Sequence, residues 1–109
     1  MSSSLFTVIY SFQIHADKEK DFIESWSELT KLIYQYEGSY GSRLHKVNDN
    51  LFIGYAQWPS KEHWQNSGDS LPKEADSIRS EMRACCNKIT TDHEMQVVSD
   101  LLRDKPYSI

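Results

Sequence analysis

Only two cysteines stand among the 109 residues, and they are neighbours. Cys85 and Cys86 fit neither a CxxC redox motif nor a zinc site, and adjacent cysteines bridge only with backbone distortion. Two reduced thiols on a helix are expected. A reactive switch is the alternative, which exposure of either thiol would favour. Glycine is nearly as scarce, and the four present form no GxGxxG or Walker pattern and no GxSxG elbow, which removes the usual nucleotide folds and the hydrolase nucleophile. The four histidines, His15, His45, His63 and His93, never fall at i and i+4, and no HExxH or Cys/His cluster exists. No stable metal site is expected. Long apolar runs are missing too: the run over residues 5–10 has Thr7 inside it and is far too short to span a bilayer, and residues 1–4 lack the basic start of a signal peptide. A cytoplasmic protein with no membrane partner is the expectation. Nor is there an excess of positive charge. A net charge of -4, a pI near 5.5 and twelve scattered basic residues argue against a surface that tracks phosphates, so nucleic acid is not an expected partner.

What is present suits a folding chain. Hydrophobic residues make up 39%, aromatics 12% and charged residues 26%, which is ordinary globular composition. A chain of this length buries about two thirds of its unfolded surface in one core. We expect a disordered N-terminus over residues 1–4, one domain over 5–102 and a peripheral tail over 103–109.

Periodicity gives the element order. Phe6, Val8, Tyr10, Phe12 and Ile14 alternate with Thr7, Ser11 and Gln13, which reads as a strand over 5–14. Asp17 can cap a helix in which Phe22, Trp26, Leu29, Ile33 and Tyr36 form one stripe, and Gly38 can end it. Residues 41–47 make a weaker second strand. After Asn48-Asp49-Asn50, turn chemistry, a third strand over 51–58 follows as its hairpin partner. Pro59-Ser60 opens a short helix through His63, Trp64 and Gln65. Ser70 and Pro72 open a second long one reaching Ile89, and Met95 with Val97 suggests a last strand over 95–99. The order is βαββαβ, a ferredoxin-like split: an α+β fold with a four-stranded antiparallel sheet and helices on one face. In the third strand Phe52, Gly54, Ala56 and Trp58 occupy one face and Leu51, Ile53 and Tyr55 the other. Neither is polar, so the open face needs a cover, and a second copy laid sheet to sheet is the simplest one.

The run Gly38-Ser39-Tyr40-Gly41-Ser42-Arg43-Leu44, the turn, the third strand and then Trp58-Pro59-Ser60-Lys61-Glu62-His63-Trp64 resemble the antibiotic biosynthesis monooxygenase family over roughly residues 5–98. The resemblance implies a homodimeric α+β barrel with a pocket in each subunit between helices and sheet. It also implies oxygenase chemistry on aromatic polyketides or quinols without flavin or metal. Haem-degrading members use an Asn, Trp and His set. Here Ser11, Phe12 and Gln13 offer no Asn, and no His lies in 72–89.

Oxygenation without a cofactor needs an electron-rich substrate anion, a base near neutral pH, a dry cavity and donors that hold the anion. His63 is the expected base, with a plain surface helix residue as the alternative. Trp26 and Trp64 are expected at the substrate as pocket wall, or else in the core. Trp58 is expected to pack at a strand end. Tyr10, Tyr36 and Tyr55 could each donate to a substrate oxygen or to a structural partner. Arg43 and His45 share a strand face and could steady an anion or make dimer contacts. The expected function is a monooxygenase with no cofactor, acting on a small aromatic or quinol-type molecule. The alternative is a dimeric module that binds or senses a small hydrophobic ligand without turnover.

Overall fold

In β1 (Phe6–Ile14) the alternation works as the sequence suggests: Phe6, Val8, Phe12 and Ile14 are buried under helices. The computed structural model describes residues 5–108, and the expected disordered N-terminus lies outside them. The chain continues through α1 (Glu19–Glu37), β2 (Ser42–Asn48), β3 (Leu51–Trp58), α2 (Lys61–Gln65), α3 (Glu74–Ala84) and β4 (Cys86–Gln96). The strands form one antiparallel sheet in the order β2-β3-β1-β4. This is the ferredoxin-like βαββαβ arrangement, with the short α2 as a third helix. No helix of the described residues is long and apolar enough to cross a membrane.

Register decides which residues share a face. Directly paired residues point the same way, and β1 meets β3 as Phe6↔Trp58, Val8↔Ala56, Tyr10↔Gly54 and Phe12↔Phe52. All eight therefore face the helices. There Phe22 of α1 is wholly buried, its ring centroid 5.1 Å from that of Phe12 and 5.5 Å from that of Phe52. The odd members of β3, Leu51, Ile53 and Tyr55, are half-buried on the other side of the sheet.

Three local expectations change. Asp17 does not cap α1: its φ of 65° puts it in the left-handed region, and Lys18 is the N-cap with no side-chain hydrogen bond. Asp17 serves the turn instead, as a short polar side chain tolerates that conformation. The last long helix stops at Ala84, and the strand expected over 95–99 begins at Cys86. The thiols therefore lie at the helix end and the strand start rather than within a helix. Cys85 is the C-cap of α3, and Cys86 pairs with Ile14. A bulge between Ile9 and Tyr10 lets Asp92 stand out of the β1–β4 ladder, where its carboxylate accepts the hydroxyls of Ser11 and Thr90. Those two bonds hold the Asp92 carboxyl below its ordinary pKa.

Candidate functional site

Small residues on the core face of β3 leave space beneath the helices. Gly54 and Ala56 stand where a larger side chain would fill the layer, and a Cβ added at Gly54 would lie 3.1 Å from Phe12 Cε2 and 3.7 Å from Trp26 Nε1. The result is a cavity of about 310 Å³ between α1, α3 and the sheet. Its wall is largely apolar, with Phe12, Trp26, Leu29, Ile33 and Met82 contributing. Polar groups enter it at a few points.

Tyr10 enters from β1, opposite Gly54. Its hydroxyl oxygen accepts the indole N–H of Trp64 at 2.8 Å. Burial pushes its pKa up, the Trp64 bond opposes that shift, and Glu94 adds to it. At neutral pH Tyr10 therefore keeps its proton and can donate it into the cavity. Trp58, at the end of β3, is 4% exposed, and its Nε1 is buried with no hydrogen-bond partner. Leaving such a donor unmade costs about 1–3 kcal/mol.

The cavity has charged edges. Glu37, in the last turn of α1, accepts the backbone N–H of Gly68 through one carboxylate oxygen and that of Ser70 at 3.4 Å through the other. It thereby ties down the loop whose Ser67 and Gly68 also line the cavity. Arg79 and Arg83 enter from α3. No group of three or more His, Cys, Asp or Glu side chains is gathered for a metal among the described residues.

The residues singled out in the sequence fall into three places. Trp26 and Tyr10 line the cavity, and Trp64 reaches it through its bond to Tyr10 while its ring lies 5.8 Å from that of Phe6. Arg43, His45 and Tyr55 share the opposite face of the sheet, where Arg43 pairs with Tyr55 and His45 with Ile53. Tyr36 and His63 border a separate outer depression with Glu37 and Asn66. His63 is exposed there, its Nδ1 2.8 Å from Ser60 Oγ, while its backbone N–H donates to the same oxygen as part of the α2 cap. Sequence reasoning passed over Trp58 as cavity wall, and over Glu37, Arg79 and Arg83 altogether. The available signal was the pair Gly54 and Ala56 on a core face, which leaves room for Trp58 to meet a ligand.

Comparison with known proteins bears on this arrangement. A search of curated proteins returned no match. Among solved structures, SnoaB, a cofactor-independent oxygenase from Streptomyces nogalater, superposes with a TM-score of 0.72 at 13% identity, covering 93% of this chain and 100% of its own. A candidate antibiotic biosynthesis monooxygenase from Caulobacter crescentus gives a TM-score of 0.72 at 11% identity, covering 89% of this chain and 92% of its own. Identities this low establish a shared fold. The sequence itself goes further, because the profile of one family matches residues 5–85, most of the chain. By that match, and with the fold agreeing, this chain belongs to the antibiotic biosynthesis monooxygenase family.

Proposed function

We propose that the chain is a cofactor-independent monooxygenase that takes a small aromatic or quinol-type substrate into the cavity between helices and sheet. One observation carries the reading: the buried, unpartnered Trp58 N–H in a mostly apolar wall. A ligand oxygen satisfies that donor, and an anionic oxygen satisfies it best. Tyr10 supplies a second donor, since its oxygen is already engaged by Trp64 and its proton is held by a raised pKa.

Two preorganised donors in a mostly apolar wall favour the phenolate over the phenol. A quinol anion can pass one electron to dioxygen, and the radical pair then joins as a peroxide. The peroxide forms on a ring carbon and takes up a proton, and loss of water leaves a hydroxyquinone, so one oxygen atom enters the product and the other leaves as water. SnoaB, which shares the fold, is described as an oxygenase of the cofactor-independent kind. Because His63 lies outside the cavity, this reading lets the substrate ionise before entry and gives the protein the task of holding the anion. A second copy covers the open face, making the working unit a homodimer.

The test is oxygen uptake with a panel of hydroquinones and polyhydroxylated aromatics. Trp58→Phe keeps the ring and removes the N–H, so it should lower turnover by roughly a hundredfold with little change in thermal unfolding. Substrates that bind tightly and consume no oxygen would put the non-catalytic binding module in its place, a reading favoured by a cavity wall that contains no imidazole.

A further inference from the structure

Charge inside the cavity runs against the charge of the chain. The protein carries a net charge of -4, yet two arginines of α3, the half-buried Arg79 and the exposed Arg83, line the cavity. They stand one helical turn apart, so they present together, and like charges at that spacing destabilise a helix. Neither finds a carboxylate among the described residues, where the ion pairs join Lys46 to Glu19 and Asp49, and Lys61 to Glu94. Acidic side chains close in sequence do not pair with them. Asp76, three residues before Arg79, makes no ion pair with it, and Glu81 lines a different depression with Asp21, Glu24 and Glu28 of α1.

Glu37 is the one carboxylate among the described lining residues, and it is committed to the amides of Gly68 and Ser70. It also stands where α1 ends. Arg83 closes α3, just before β4, whose Ile89 pairs with Phe12 and also lines the cavity. Trp58 pairs with Phe6, six residues from Phe12 along β1, a distance of about 20 Å. The cavity is thus elongated, with the unpartnered indole N–H toward one end and unpaired positive charge toward the other.

We infer that the ligand is an aromatic acid: a ring against Phe12, Trp26 and Leu29, a phenolic oxygen toward Tyr10, two residues from Phe12 along β1, and a carboxylate held by Arg79 and Arg83. Guanidinium groups suit this because their planar fork matches a carboxylate with paired hydrogen bonds. The inference rests on this cavity being the substrate site and adds the class of substrate.

Gentisate, its neutral isostere gentisamide, and hydroquinone serve as probes, with binding measured anaerobically by calorimetry and turnover measured separately as oxygen uptake. Gentisate should bind roughly ten- to a hundredfold tighter than gentisamide. The double variant R79Q/R83Q, built from two residues that are not in the core and replaced by a good helix former, should erase that preference while its circular dichroism and melting stay those of the wild type. Lysine at both positions should restore part of the preference, because the charge returns without the fork. Equal binding of gentisate and gentisamide by the wild type overturns the inference, as does a preference that survives in R79Q/R83Q. Binding of hydroquinone with none of gentisate overturns it equally. Acid-selective binding without oxygen uptake upholds it and removes only the oxygenase reading. Hydroquinone turnover combined with acid-blind binding does the reverse.

Discussion

The two faces of the sheet are drawn from the same strands and similar residues, yet they end in different states. On the helix side Phe6, Val8, Phe12, Phe52 and Trp58 are buried, and the layer closes over a cavity. On the open side Ile9, Leu51, Ile53 and Tyr55 are only half-buried. Arg43 and His45 stand beside them, and the tail residue Leu102 lies near Arg43 and Tyr55. Along β3 the alternation is strict, one residue in and the next out. In a strand that is apolar on both faces, one face makes the fold and the other stays half-exposed, the surface that the proposed second copy would cover.

The comparison breaks most directly through the covered face. Phe22 is wholly buried between Phe12 and Phe52, so Phe22→Ala should lower the free energy of unfolding by about 3–5 kcal/mol in a urea titration. A loss under about 1 kcal/mol would mean that this layer is not the packed core described.

Chemistry at the border of that face sharpens it. Cys86 pairs with Ile14, and burial, followed by the neighbouring Cys85, pushes its thiol up to about 11 from the ordinary 9.0. The thiolate that reacts is then roughly a hundredfold scarcer at neutral pH than for a free cysteine, and iodoacetamide should label Cys86 slower by about that factor. The sign for stability follows from a folded value above the unfolded one. The contribution is fully present below the unfolded value and is lost as pH rises through about 11. Rapid labelling at neutral pH would restore the reactive-switch reading of the cysteine pair.

The open face is tested by Tyr55→Asp. If a second copy covers it, a charge placed there should weaken the dimer by roughly thirtyfold or more while leaving the subunit folded. Sedimentation equilibrium reads the change. Wild-type protein with the 12.7 kDa mass of one chain at micromolar concentration would show that the open face is uncovered in solution.

Legibility followed periodicity. Strongly alternating β1 and β3, the α1 stripe except for the exposed Tyr36 at its end, and the Asn48-Asp49-Asn50 turn could be read directly, and so the fold could be read. β4 was hidden because it lies at the sheet edge, where Asn87, Lys88, Thr91 and Asp92 face water and dilute any alternation, and the Asp92 bulge then shifts its parity. The site was harder for a related reason. Strand parity is ambiguous when both faces are apolar, so Tyr10, Tyr55, Arg43 and His45 looked equally able to meet a ligand, and only the register separates Tyr10 from the other three. Arg79 and Arg83 resembled any solvated helix charges until the helix orientation put them at the cavity.

The smallest expected effect concerns His63, and it asks whether the chemistry belongs to the cavity or to the surface outside it. A general base must come within hydrogen-bond reach of the proton it takes, and removing a true one costs a hundredfold to ten-thousandfold in rate. His63 instead lies in the outer depression, on the far side of Glu37, with its Nδ1 on Ser60 Oγ. A Cβ added at Gly38 would come within 3.5 Å of its Cδ2, which places the ring against the end of α1. His63→Ala leaves the α2 cap in place, since the bond from the backbone N–H to Ser60 Oγ does not need the imidazole. Exposed substitutions of this kind change stability by about 0.5 kcal/mol or less. Oxygen uptake should therefore stay within about twofold of the wild type at neutral pH, well short of the loss a missing base brings. A hundredfold loss that higher pH repairs would have the opposite meaning. Solvent would then be making the anion that the imidazole had made, and the reacting oxygen would sit on the His63 side of Glu37 rather than beneath Trp58.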